Sequence, residues 1–208
     1  MKKHHALLLP ILAALLTLSA CSIVPQQRKD ARNNYSLEIP LPRQAAAADK
    51  APLAILDIAP FAAAPECETR QLVISRAANR FTPDYYNQFI ASPAQIIAHQ
   101  TRLYFAAAGL AIIPTNNSKL RPTHRIEATL NALHADLREA GQAAAVLEIR
   151  IQLLDSRNHL LFEKTYAARQ AAANNHAESI IAAHNKALAG ILARQAADLA
   201  PFLNPGAH

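Results

Sequence analysis

The sequence predicts an α+β domain in which two helices pack on one face of a largely antiparallel sheet, in the order β-β-α-β-β-β-β-α. Three observations carry this prediction. Leu147, Ile149, Ile151 and Leu153 alternate with Glu148, Arg150 and Gln152, the pattern of a half-buried strand. Alternating runs precede and follow it, separated by turn residues. Two longer segments have helical periodicity with their own start and stop signals.

Taken in order, residues Leu53 to Ile58 are almost continuously apolar, as in a strand covered on both faces. Gln71-Leu72-Val73-Ile74-Ser75-Arg76 is the second strand. A helix is predicted from Ser92 to Gly109. Ser92 is placed to cap it, Pro93 suits its first turn, and Gln95 completes a capping box. Ile96, Ile97, Leu103 and Tyr104 share one face, and Gly109 supplies the left-handed stop. Leu110 to Ile113 is a short buried strand. A meander of three strands follows. Ile126, Leu130 and Ala132 alternate with Glu127, Thr129 and Asn131, and after the Leu147–Leu153 run come Leu160, Phe162 and Tyr166 opposite Glu163 and Thr165. Gly141 and the turn Asp155-Ser156-Arg157-Asn158 separate these strands, which predicts antiparallel hairpins. The apolar phase switches faces near Leu133, as at a bulge or a strand end. Asn175 and Glu178 cap the last helix, whose stripe of Ile181, His184, Leu188, Ile191 and Leu199 ends before Pro201.

The first twenty residues have a different character. Lys2 and Lys3 precede an apolar run from Ala6 to Leu16, and Leu18-Ser19-Ala20 leads into Cys21. A basic start, a short apolar run and small residues at a cut site make a secretory signal peptide. The run is shorter than the roughly 20 apolar residues of a membrane span. Cys21 after Leu-Ser-Ala resembles the bacterial lipobox. That resemblance implies cleavage before Cys21, with diacylglycerol on its thiol and an N-acyl chain such as palmitate on the new terminus. Ser22 stands where an aspartate commonly retains lipoproteins in the inner membrane, so the resemblance favours the outer membrane, facing the periplasm.

The expected organisation is therefore a signal peptide at 1–20, a lipid-anchored linker at 21–52, one domain at 53–203 and a tail at 204–208. The linker holds Pro25, Pro40, Pro42, Pro52 and the Ala45–Ala48 run, although Tyr35 to Ile39 alternates and can add an edge strand. Of the 21 Lys and Arg, 19 follow the signal and face 15 acids, a mild and scattered excess. No basic cluster interleaves with aromatics, so nucleic acid is not expected as a partner.

Catalytic signatures are sparse. The four glycines are isolated, so no loop can cradle a phosphate, and there is no Gly-x-Ser-x-Gly elbow. His176 and His184 lie eight residues apart, more than the single turn that lets two helical ligands share a metal, so no metal is expected. Cys67 stands between Glu66 and Glu68, whose charges disfavour a thiolate. The chain reads as non-enzymatic. The segment of interest is Arg80 to Phe89, where aromatics concentrate in a chain that is 5% aromatic. Two readings stand: these rings roof the core, or Tyr85, Tyr86 and Phe89 anchor a partner protein.

Cys21, Tyr35-Ser36-Leu37, Leu53–Ile58, Gln71–Arg76, Tyr85-Tyr86-Asn87-Gln88-Phe89 and Ser92-Pro93-Ala94-Gln95-Ile96-Ile97 together resemble the ABC-type transport auxiliary lipoproteins. That family contains the outer-membrane partner of paraquat-inducible and mammalian-cell-entry (MCE) domain lipid transporters. Gln88-Phe89 replaces the basic residue and tryptophan that often precede the helix there. The resemblance implies a docking role for an MCE-domain protein, no cofactor beyond the lipid on Cys21, and leaves phospholipid contact and self-association open. Other readings are a lipid- or solute-binding lipoprotein, an assembly lipoprotein of another envelope machine, and, further off, an envelope hydrolase.

Overall fold

The computed structural model describes residues 32–43, 54–114 and 119–203. The chain order is β1 (Asn33–Tyr35), β2 (Leu56–Ile58), β3 (Ala62–Ala63), a 3-10 turn (Pro65–Cys67), β4 (Gln71–Ala77), β5 (Arg80–Phe89), α1 (Pro93–Ala107), β6 (His124–Glu139), β7 (Gln142–Asp155), β8 (Leu160–Ala171) and α2 (Ala177–Leu203). The sheet runs β1-β5-β4-β6-β7-β8, with β2 and β3 also paired to β6. The long ladders β4–β5, β6–β7 and β7–β8 are antiparallel, while the short pairings of β1 with β5 and of β2, β3 and β4 with β6 are parallel.

Alternation explains the meander. Leu147, Ile149, Ile151 and Leu153 are buried on the face that α2 covers, while Arg150 on the opposite face is exposed. Each such side chain removed from water contributes about 1.5–3 kcal/mol, which fixes the register, because a slip of one residue would expose the whole set. In β6 the buried apolar positions are Ile126, Ala128 and Leu130, then Leu133 and Ala135. A register shift between Leu130 and Ala132 accounts for the phase switch. Tight turns join the strands at Ala140-Gly141, with Gly141 at φ +75°, and at Asp155–His159, with Asn158 at φ +63°. Asp155 Oδ1 accepts backbone N–H bonds from Arg157 (2.7 Å) and His159 (2.8 Å). All five residues of the α2 stripe are buried.

Several local expectations are corrected. Residues 110–113 form no ladder, only a single bridge between Ile55 and Ile112. The reason lies at the end of α1, where the Gly109 N–H bonds the Ala106 carbonyl (3.1 Å) and the Leu110 N–H bonds the Phe105 carbonyl (3.1 Å). This is a Schellman stop, with Gly109 at φ +63°, and it commits the chain to a turn. Ser92 is at the cap position of α1, but its hydroxyl makes no cap bond. Leu103 is exposed, and Phe105 takes the buried place. α2 begins at Ala177, so its cap position is His176 rather than Asn175: the His176 carbonyl accepts the Ile180 N–H at 3.1 Å, and Asn174 Oδ1 accepts the His176 N–H at 2.9 Å. Leu37 and Ile39, placed in the linker by composition, belong to the core cluster. The segment 80–89, read only as aromatics before a helix, is the strand β5.

Candidate docking site on the bulged strand

β5 and β4 form a hairpin through Ala78-Asn79, with Asn79 at φ +56°, a conformation its short polar side chain tolerates. Ala77 pairs with Arg80, a register shift separates Ala77 from Ser75, pairing is regular from Ser75↔Phe81 to Val73↔Pro83, and the next pair is Gln71↔Gln88. Residues 84–87 therefore stand opposite Leu72 alone, a wide bulge in the ladder. Pro83 has no N–H to donate, so a strand position on an open edge suits it.

Asp84 holds this bulge in shape. Its Oδ1 accepts the backbone N–H of Tyr86 at 2.8 Å and of Asn87 at 3.3 Å, and its Oδ2 accepts Asn87 Nδ2 at 2.8 Å. Gln71 Nε2 donates to the Asp84 carbonyl at 3.3 Å. β1 closes the other side by pairing Asn33, Asn34 and Tyr35 with Asn87, Gln88 and Phe89. Asn33 Nδ2 and the Tyr35 hydroxyl both donate to Asn87 Oδ1, at 3.0 and 3.2 Å. The Tyr35 hydroxyl also lies 2.9 Å from Glu178 Oε1, which ties the bulge to the start of α2. Burial first, and then that carboxylate, push the Tyr35 phenol up to about 12, so it remains a donor at any physiological pH.

The result is a rigid crest carrying Tyr85 and Tyr86, which are 58% and 51% exposed. Their rings meet edge to face with centroids 5.2 Å apart, and the Arg32 guanidinium lies 4.6 Å from the Tyr85 centroid. Phe89 is not part of this surface. It is 1% exposed, because the bulge changes the phase of the strand and sends Phe89 into the core beside α1 and β1. Its burial leaves no surface for a partner to contact. Asp84, Asn87 and Arg32 were not singled out from the sequence. The Pro83-Asp84 dipeptide was the available signal, since aspartate after proline favours a local side-chain-to-backbone bond.

The other positions resolve individually. Cys21 and Ser22 lie outside the described residues. Cys67 is buried, and burial more than Glu66 pushes its thiol up to about 11. His184 is fully buried, and burial lowers it to about 3, but neither ring nitrogen has a hydrogen-bond partner. His184 is thus a core histidine buried without hydrogen bonds. Among the described residues no group of His, Cys, Asp and Glu side chains could hold a metal ion, and no helix is long and apolar enough to cross a membrane.

The fold is similar to that of two crystal structures. One is protein XCC0632 from Xanthomonas campestris, with TM-score 0.68 and 13% identity over 81% of this chain and 95% of that one. The other is an uncharacterized protein, with TM-score 0.59 and 12% identity over 83% of this chain and 98% of that one. At such identities the likeness concerns the fold alone. No curated protein matches the chain. The family described as the ABC-type transport auxiliary lipoprotein component matches residues 35–197, which runs from β1 through most of α2 and includes every strand of the sheet described above except the first two residues of β1. On that match, this chain belongs to the ABC-type transport auxiliary lipoprotein family.

Proposed function

We propose that this protein is a non-enzymatic outer-membrane lipoprotein, anchored through lipid on Cys21, which docks the periplasmic MCE-domain component of an ABC-type lipid transport system. The tyrosine crest of β5 is the contact. The observation that carries this reading is the combination of exposure and fixed geometry at Tyr85 and Tyr86. Two large rings held half in water by a carboxylate-braced bulge lose little side-chain freedom when a partner covers them, which is the economy of an interface anchor. Membership of a transport-auxiliary family supports a role beside a transporter, and the lipobox with Ser22 supports the outer membrane.

The test is a crosslinking pull-down of the full-length lipoprotein from its own envelope, with partners identified by mass spectrometry. Recovery of an MCE-domain protein is expected. Tyr85→Ala and Tyr86→Ala should each reduce that recovery about ten-fold or more, as anchors worth at least roughly 1.4 kcal/mol do. Full recovery with the doubly substituted protein sinks the residue assignment, and absence of every transporter component sinks the docking role.

A further inference from the structure

On the sheet face that α2 leaves open, the ends of β4, β5, β6, β7 and β8 enclose a concavity of about 500 Å³. Phe81, Val146 and Ala167 give it an apolar wall, and His134 stands against Phe81 with ring centroids 5.1 Å apart. Arg138 and Arg169 line the same space, as does Asp136. Asp136 is only 1% exposed and is the sole buried carboxylate among the described residues. It accepts the Arg138 backbone N–H (3.1 Å), Nε (2.8 Å) and Nη2 (2.7 Å), and Arg169 Nη2 (3.2 Å).

This arrangement is built, because both guanidinium groups are oriented by one buried anion. Their environment holds Asp136 well below the usual carboxylate range, so it stays charged. Among the residues that line the concavity, one carboxylate against two guanidinium groups leaves one positive charge; Glu139, which also acts on Arg138, lies outside the lining. Both arginine side chains are about half exposed, with N–H groups that no described residue takes up. His134 adds no charge near neutral pH, since burial lowers it from its ordinary value. A volume of this size accepts one small ligand rather than a helix or a strand. The excess charge selects an anion, and the Phe81 wall selects an apolar group attached to it.

We infer that this concavity binds a single anionic amphiphile, with a phosphate or carboxylate head on Arg138 and Arg169 and the first part of its apolar chain along Phe81, Val146 and Ala167. The occupant is one lipid molecule, not the surface of a bilayer. The site is independent of the docking reading, because Tyr85 and Tyr86 do not line it.

The test titrates the full-length lipoprotein, purified in an uncharged detergent, with dihexanoyl phosphatidylglycerol, dihexanoyl phosphatidylcholine or inorganic phosphate, read by calorimetry. Saturable binding of the anionic lipid is expected, at least about ten-fold tighter than either of the others, since a charge-assisted hydrogen bond and apolar contact each contribute on that scale. Arg169→Gln and Phe81→Ser should each weaken it about ten-fold. Ala167→Glu places a negative charge on an exposed strand position beside Arg169 and opposite Glu148; it should abolish binding with only a small fall in thermal midpoint. Equal affinity for the two lipids overturns the charge selection. Inorganic phosphate binding as tightly as the lipid overturns the apolar wall. Unaltered binding by Ala167→Glu and Phe81→Ser, or no binding at all, overturns the site. Partner capture by the Ala167→Glu protein is measured separately, so failure here and failure of the docking role remain distinguishable.

Discussion

His184 shows what a single buried residue can impose on the molecule. Its ring lies in the core stripe of α2 without a hydrogen bond, and desolvation holds it neutral down to about pH 3. The unfolded chain binds a proton on this ring near its ordinary value of 6.5, so below that pH the unfolded state gains protons that the folded state refuses. The His184 contribution is therefore present in full above about pH 6.5 and is lost as pH falls towards 3, at no more than about 1.4 kcal/mol per pH unit. Urea midpoints measured from pH 7 to 4 should fall for the native protein and fall less steeply for His184→Leu. At neutral pH the leucine should cost little or stabilise, because it removes two unsatisfied polar atoms from the core. Identical pH slopes in the two proteins would show that other groups control acid unfolding. The sequence revealed His184 as a core residue through its place in the stripe. It could not reveal the missing bonds, which depend on what faces the ring from other elements. Cys67 makes a similar point: its inertness was legible from neighbouring glutamates, yet burial is the larger cause.

Elements differ in how plainly the sequence announces them. β6 and β7 are readable because one face is buried and the other wet, so period-two alternation survives in the letters, whereas in β8 only Tyr166 is buried and Leu160, expected on the same side, stands exposed. β5 is not readable, for physical reasons. Its hairpin turn uses Asn79 at positive φ where glycine would have been the usual signal, Pro83 breaks the strand pattern, and the four-residue bulge scrambles the phase between Tyr86 and Phe89. The aromatic concentration located Tyr85 and Tyr86, but the bracing by Asp84, Asn87 and Asn33 depends on β1, which comes from 54 residues away in the chain. Helix ends were legible in part. Gly109 performs its stop as expected, and a Cβ there would meet no atom within 4 Å, so Gly109→Ala isolates the backbone cost of φ +63°. A loss of about 1 kcal/mol and a fall of roughly 2–4 °C in thermal midpoint are expected. Gly190→Ala, inside α2 and also without crowding, should instead raise the midpoint by a similar amount or less. Scanning calorimetry on both variants checks the pair, and a shift of the same sign in each would contradict the assignment.

At the scale of the whole molecule, the α+β class followed from the ordering of elements, and the structure extends the domain upstream. Leu37 and Ile39 enter the core before the composition has left its linker-like character, because two apolar side chains need only a groove, not a long periodic run. With lipid on Cys21 as proposed, the eleven-residue step from Cys21 to Arg32 would span no more than about 37 Å at roughly 3.4 Å per residue. Lipidation belongs to this scale too. Cys21→Ser should move the protein from the membrane fraction to the soluble periplasm, since two or more acyl chains supply the stable anchoring that one chain does not. Fractionation followed by immunoblotting reads the outcome, and a serine variant that still sediments with membranes would mean that another feature holds it there.

β1 has a mechanical meaning. The chain joins the sheet at Asn33, and β1 runs parallel to the end of β5, stitched by its ladder and by the Asn33–Asn87 and Asn34–Gln88 side-chain bonds. Tension along the upstream chain loads this ladder in shear, so its bonds resist together instead of opening one by one. A force on the tyrosine crest enters the same strand. Pull from the upstream chain and pull at the crest thus meet in β5.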